Sequence, residues 1–235
     1  EFHKELEEKD KSSDFFCRNL ERDETMINFY CQPTKTNEIR GKRQVAINLD
    51  PNHKRSATVM LTCSNLGNKK AAHIVFNKKT AKRNNNNELG KQIESALTIP
   101  NNIRVHSTPS GWMNRYVLTK WHSDVFKDDG RRLFIDRAGA HYTEYFTSSL
   151  SDKQKENMLY IPAGCTDELQ PLDVSVNKLF KDYYRHYLEI NAMPQLASKA
   201  QSERQHIINA VSYSWNKIPI NVIITGFIKS GISRQ

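Results

Sequence analysis

No hydrophobic run in this sequence is long. The longest nearly apolar stretch covers residues 222–228, far short of the roughly 20 residues a membrane-spanning helix requires. The opening EFHKELEEKDKSSD is charged and holds no apolar signal core, so membrane and secreted classes fit poorly. Cysteine is scarce as well. Cys17, Cys31, Cys63 and Cys165 form no CxxC pair and follow no regular spacing. That argues against a disulfide framework and a zinc module, and leaves reduced, mostly buried thiols as the expectation. Acidic charge is in deficit: 26 Asp and Glu stand against 35 Lys and Arg, a formal net charge of +9 over 235 residues. Such a surplus favours an anionic partner, with nucleic acid the first candidate.

What is present is a core in short pieces. The apolar fraction is 37%, but it is clustered, unlike that of a disordered chain. The length suits one large domain, or one domain with a small appendage. The chain opens on Glu1 rather than Met, as a piece of a longer protein would. Residues 1–20 read as a charged lead-in with Phe15, Phe16 and Leu20 as its core candidates. Strand-like segments follow at 25–30, 44–49, 58–63 and 73–76, rich in β-branched and aromatic residues and separated by Pro, Gly and Asn turn chemistry. Short links between them favour an antiparallel meander. The stretch KKTAKRNNNN, residues 78–87, is polar and low in complexity, and reads as a solvated loop.

From Met113 the period changes. Val117, Trp121 and Val125 recur every four residues and predict a helix over 113–126. RRLFID and MLYI read as short buried strands, with Thr143 a candidate helix cap between them. Pro171 suits the first position of a long helix, whose apolar stripe would hold Leu172, Val176, Leu179, Phe180, Tyr183 and Tyr187. Two further helices are expected around 207–215 and from Pro219 to near Gly231. Strands followed by alternating helices and strands define a mixed α/β domain with antiparallel and parallel pairing.

Three aspartates occupy places where a sheet collects an active site. Asp23 precedes the first expected strand, Asp136 closes LFID at the carboxyl edge of a strand, and Asp173 opens the long helix. Carboxylates so placed hold Mg²⁺ or Mn²⁺, and two such ions serve phosphodiester chemistry. Each aspartate also has a plain alternative. Asp173 would complement the positive end of a helix, Asp136 would cap the turn after it, and Asp23 would belong to a solvated ERDE cluster.

The surrounding residues carry a resemblance. RDETMINFY, GWMN, LFIDRAGAH and above all YIPAGCTDELQPLDVSVNKLFKDYYR resemble the catalytic domain of the DDE superfamily endonucleases, in particular the pogo/Tigger-type transposases and genes domesticated from them. In that family the acids lie in a DET or DQT segment, a D-x-x-x-x-H segment and QPLD. Asp23, Asp136 and Asp173 match those places, with 36 residues between the last two. The tail SWNKIPINVIITGFIKSGIS resembles the family's closing segment. The resemblance covers about Asp23 to Ser233. It implies a ribonuclease H-like fold: a mixed sheet flanked by helices, with the first acid on the first strand and the second just after the fourth. It also implies three catalytic, metal-binding aspartates, two Mg²⁺ (or Mn²⁺) ions, and cleavage of DNA followed by strand transfer. Two departures stand out. DRAGAH has Arg137 and Gly139 where many relatives have Asn and Pro, and the family's N-terminal helix-turn-helix is missing from this chain.

His141 matches the family's histidine and is a candidate phosphate contact or a structural turn residue. Lys178, Lys181 and Arg185 fall on one helix face and are candidate DNA contacts or a solvated face. Trp112 and Trp121 are expected in the core. Glu24, Asp167 and Glu168 are spare acids near the site. The expected layout is a lead-in over 1–22, a catalytic domain over 23–191 and a helical extension over 192–235. The expected partner is DNA, with no membrane; the expected location is the nucleus, and a homodimer stays open. A domesticated protein that binds DNA without cutting it, or a decayed transposon fragment, are the competing readings.

Overall fold

The computed structural model describes residues 4, 19–30, 55–77, 95–126, 131–136 and 144–233. In chain order these contain β1 (Asn19–Asn28), β2 (Ser56–Ser64), β3 (Ala72–Asn77), β4 (Ile103–Thr108), α1 (Arg115–Val125), β5 (Arg132–Ile135), α2 (Glu144–Thr147), α3 (Asp152–Glu156), β6 (Met158–Tyr160) and α4 (Thr166–Leu169). A π-helical turn, Leu172–Val176, then runs into α5 (Asn177–Ile190), followed by α6 (Lys199–Lys217) and α7 (Ile220–Lys229).

The six strands form one sheet in the order β4-β3-β2-β1-β5-β6. β1, β2 and β3 pair antiparallel, as short turn-linked strands do. β5 and β6 add in parallel beside β1, each reached through helices. This is the ribonuclease H-like arrangement, with helices on both faces of a mixed sheet. β4 was not foreseen. It pairs parallel to β3 at the sheet edge, and its IRVHST lacks the dense apolar pattern of the inner strands because an edge strand has fewer neighbours to bury against. Asp136 therefore follows the fifth described strand rather than the fourth. β1 also starts earlier than expected: residues 19–24, polar enough to read as lead-in, lie inside the sheet. The expected strand at 44–49, the loop at 78–87, Thr143, Cys17 and Cys31 lie outside the described residues.

The sheet separates two apolar layers. One packs Leu20, Met60, Val75, Leu133 and Ile135 against Val117, Leu118 and Trp121 of α1. The other packs Ile27, Val59, Leu61, Ile74 and Phe134 against Phe180 of α5, Ile207, Val211 and Trp215 of α6, and Phe227 of α7. Each layer is anchored by a tryptophan whose indole N–H is satisfied: Trp121 donates to the Thr62 hydroxyl at 3.0 Å, and Trp215 to the Lys70 carbonyl at 2.7 Å.

Local signals explain the helix starts. Asn114 caps α1 by accepting from the Val117 N–H. Ser198 and Gln201 form a reciprocal capping box on α6. At the other end of α6 the Lys69 ammonium donates to the carbonyls of Trp215, Asn216 and Ile218, at 2.9, 3.0 and 2.9 Å. That places a cation on the negative end of the helix. Among the described residues, no helix is long and apolar enough to cross a membrane.

Candidate active site at the carboxyl ends of β1 and β5

β1 alternates between the two layers. Leu20 joins the layer under α1, and the Arg22 guanidinium stacks over Trp121 there, 5.3 Å from the ring centre. Ile27 and Phe29 join the layer under α5 to α7. Side chains two apart share a face, so Glu21 and Asp23 look toward α5. β5 runs parallel to β1 with Glu21 opposite Phe134. Two residues further along each strand come Asp23 and Asp136, and Phe134 lies in the α5-side layer. Parallel pairing thus delivers both aspartates to one end and one face of the sheet.

Asp173 arrives from above. It sits in the π-helical turn, a widened form frequent at functional sites. Asn177 follows it by four residues, on the same face of the helix. The Asn177 amide nitrogen donates to Asp23 Oδ2 at 2.6 Å and to Asp173 Oδ1 at 2.7 Å. One side chain therefore joins its helix neighbour Asp173 to a strand acid that lies 154 positions from it in sequence. Below it, Glu21 is 0% exposed and accepts the Leu172 backbone N–H at 3.0 Å, which anchors the start of the π-helical turn to β1.

Among the described residues, no cation offsets the charge of Asp23 or Glu21. Burial, and next the Asp173 carboxylate, push the Asp23 carboxyl up to about 7; Asp136 adds to the repulsion, while the Asn177 amide and the Glu24 backbone N–H oppose it. Burial and then Asp23 drive Glu21 well above the usual carboxylate range, against the pull of the Leu172 N–H. Burial, with Glu21 opposite on the neighbouring strand, also raises the Cys63 thiol. Cys63 is a free, buried thiol and Cys165 a free, half-buried one. Among the described residues, no three His, Cys, Asp or Glu side chains stand together as a ready-made cation cage. Asp23 and Asp173 are drawn onto an amide instead.

The other candidates divide. Lys178 and Arg185 are exposed and Lys181 is half-buried on α5, with Arg185 paired to Asp182 at 3.0 Å. Glu24 is engaged by Arg22 at 2.7 Å on the opposite face of β1. Asp167 and Glu168 are exposed in the first turn of α4. His141 and Arg137 lie outside the described residues. Trp121 is buried as expected, but Trp112 is not: it is 59% exposed, because GWMN forms the loop before α1 rather than part of the helix face. Glu21 and Asn177 were missed. Glu21 was signalled by its two-residue offset from Asp23, and Asn177 by its four-residue offset from Asp173.

The comparisons agree with this architecture. The model of the DDE superfamily endonucleases matches residues 54–227, well over half of the chain, and the chain belongs to that family. Among solved structures, the fold is similar to that of the Mos1 strand transfer complex, at 13% identity and a TM-score of 0.55, over 97% of this chain and 56% of that one. A Mos1 mariner paired end complex with Mn aligns at 13% identity and a TM-score of 0.46, over 92% of this chain and 59% of that one. This chain thus spans little more than half the length of those Mos1 chains.

Proposed function

We propose that this domain cuts and joins DNA as a transposase does, with Asp23, Asp136 and Asp173 holding two Mg²⁺ or Mn²⁺ ions. The observation that carries the reading is the meeting of Asp23 and Asp173 on the single amide of Asn177, with Asp136 at the adjacent strand end. The donor chemistry fits hard cations, which prefer carboxylate and amide oxygens. An Asp23 carboxyl that keeps its proton to about pH 7 is a group to which the described residues offer hydrogen bonds but no opposite charge, and a divalent ion would supply one.

When bound, the ions would activate the attacking oxygen and stabilise the leaving one. The chain's own part is positioning. β1 and β5 present two carboxylates from a rigid parallel pair. Glu21 fixes the turn that brings the third. The exposed Lys178 and Arg185 on α5 offer cations to a phosphate backbone. The reaction proposed is hydrolysis of one phosphodiester, then attack of the freed 3′-hydroxyl on a second. A nuclear location follows from such a substrate in a cell with a nucleus.

Supercoiled plasmid incubated with the protein and Mg²⁺ or Mn²⁺ should be nicked, and Asp136→Ala should abolish it. A folded wild type that leaves the plasmid intact would overturn the enzyme reading. Equal nicking by the mutant would assign the activity to a contaminant. Salt-sensitive DNA binding without nicking would point to a non-cutting derivative.

A further inference from the structure

Asn177 is 7% exposed, and its amide is used at one end only. Both hydrogens of Nδ2 are committed to Asp23 and Asp173, at distances typical of charge-assisted bonds. The other end, Oδ1, is buried without a hydrogen-bond partner. An unmet buried acceptor costs about 1–3 kcal/mol, so a purely structural asparagine would be expected to satisfy it. Turning the amide over would exchange oxygen for nitrogen within nearly the same volume. Where both carboxyls are ionised and no cation is held, that turn is opposed, because it would set a carbonyl oxygen against two carboxylates. With a divalent cation held by the aspartates it would become favourable, since the amide oxygen could then serve as a further hard ligand.

We propose that Asn177 is a member of the cation site with two positions. Its nitrogen bridges Asp23 and Asp173 in the arrangement described, and its oxygen would join the ligand set when Mg²⁺ or Mn²⁺ is held. This rests on the reading of Asp23 and Asp173 as cation ligands. In the arrangement described, the amide nitrogen holds together two groups that would otherwise repel.

The test is Mn²⁺ titration of the whole chain, following the free-ion electron paramagnetic resonance signal, with Asn177→Ala, Asn177→Asp and Asp173→Ala beside the wild type. Asn177→Ala should weaken Mn²⁺ binding roughly tenfold or more. Asn177→Asp keeps an oxygen and loses the donor, so its metal-free melting temperature should drop and its Mn²⁺-induced rise should exceed that of the wild type. Wild-type binding with Asn177→Ala within about twofold would overturn the proposal while sparing the aspartates. If Asn177→Ala does not fold, a Mn²⁺-induced rise in Asn177→Asp no larger than the wild type's would overturn it. Should the wild type bind no Mn²⁺, or bind it no better than Asp173→Ala, the cation reading itself falls and this proposal with it.

Discussion

Two faces of one strand treat buried charge in opposite ways. On the α1 side of β1, Arg22 is buried but answered: Glu24 accepts from it at 2.7 Å and the Trp121 ring lies under its guanidinium. On the α5 side, Glu21 and Asp23 are acids among acids, and both carboxyls are driven up. These residues alternate along four consecutive positions, so composition and hydrogen-bonded backbone are shared. The difference lies in what each face meets. A charge that finds its counter-charge inside the fold is structure; carboxylates crowded together, with Asp23 and Asp173 sharing one amide, are poised to take a cation.

The largest expected effect separates the faces by function. Asp23→Asn should cut metal-dependent nicking by about a thousandfold or more, measured on supercoiled plasmid. The same change should leave the metal-free protein at least as stable as the wild type above pH 7, because it removes an unmatched charge. A less stable variant would mean that Asp23 serves the fold.

Next is the pH dependence. The Asp23 carboxyl has an ordinary value of 3.8 and is raised to about 7 in the folded chain. Between those values the folded state holds a proton that the unfolded state has released. Its contribution to stability is therefore complete below about pH 4 and is lost as pH rises through about 7. The difference in unfolding free energy between metal-free wild type and Asp23→Asn should change by on the order of a few kcal/mol across that window, in urea titrations at successive pH. A flat difference would show that the two faces are less unlike than their geometry implies.

On the α1 side, Arg22→Met should cost about 3 kcal/mol by urea unfolding, through the lost pairing with Glu24 and lost packing on Trp121. Mn²⁺ affinity should stay within about twofold. A large loss of affinity would break the separation between the faces.

The smallest effect reaches the acid face through backbone alone. Gly226 of α7 lets the helix approach the π-helical turn, where Ser175 donates to the carbonyl oxygens of Pro171 and Val222, each at 3.1 Å. A Cβ there would stand 2.7 Å from the Pro171 carbonyl oxygen and overlap Ser175 Oγ. Gly226→Ala should cost about 1–3 kcal/mol and weaken Mn²⁺ binding modestly by shifting Asp173. Unchanged affinity would place the strain entirely outside the site.

Much of the fold was legible because its inner elements bury apolar side chains at the period of their own secondary structure. Residues 58–63, RLFI and MLY announce strands, and the stripe of Leu172, Val176 and Phe180 announces the long helical segment. The failures have one cause. The first residues of β1 are polar and β4 is an edge strand, so neither shows an apolar period. Trp112 is large and aromatic yet sits on a loop that presents it to solvent. Of the site, the three aspartates were visible through their setting, while Glu21 and Asn177 were missed, since their offsets from Asp23 and Asp173 place them on a shared face without saying what that face meets.

What the sequence determined by itself is therefore local and compositional: the surplus of positive charge, the periods of the core elements, the caps, and the three acids with the family they point to. Only the tertiary structure decided which acids share an environment and which are answered. Hydrogen bonds and charge interactions depend on ångström distances, and those that matter here join positions 154 and 151 residues apart, from Asn177 to Asp23 and from Leu172 to Glu21. No spacing rule reaches that far. The sheet that brings β1 beside β5, and the turn that lowers Asp173 onto Asn177, convert scattered carboxylates into one charged site.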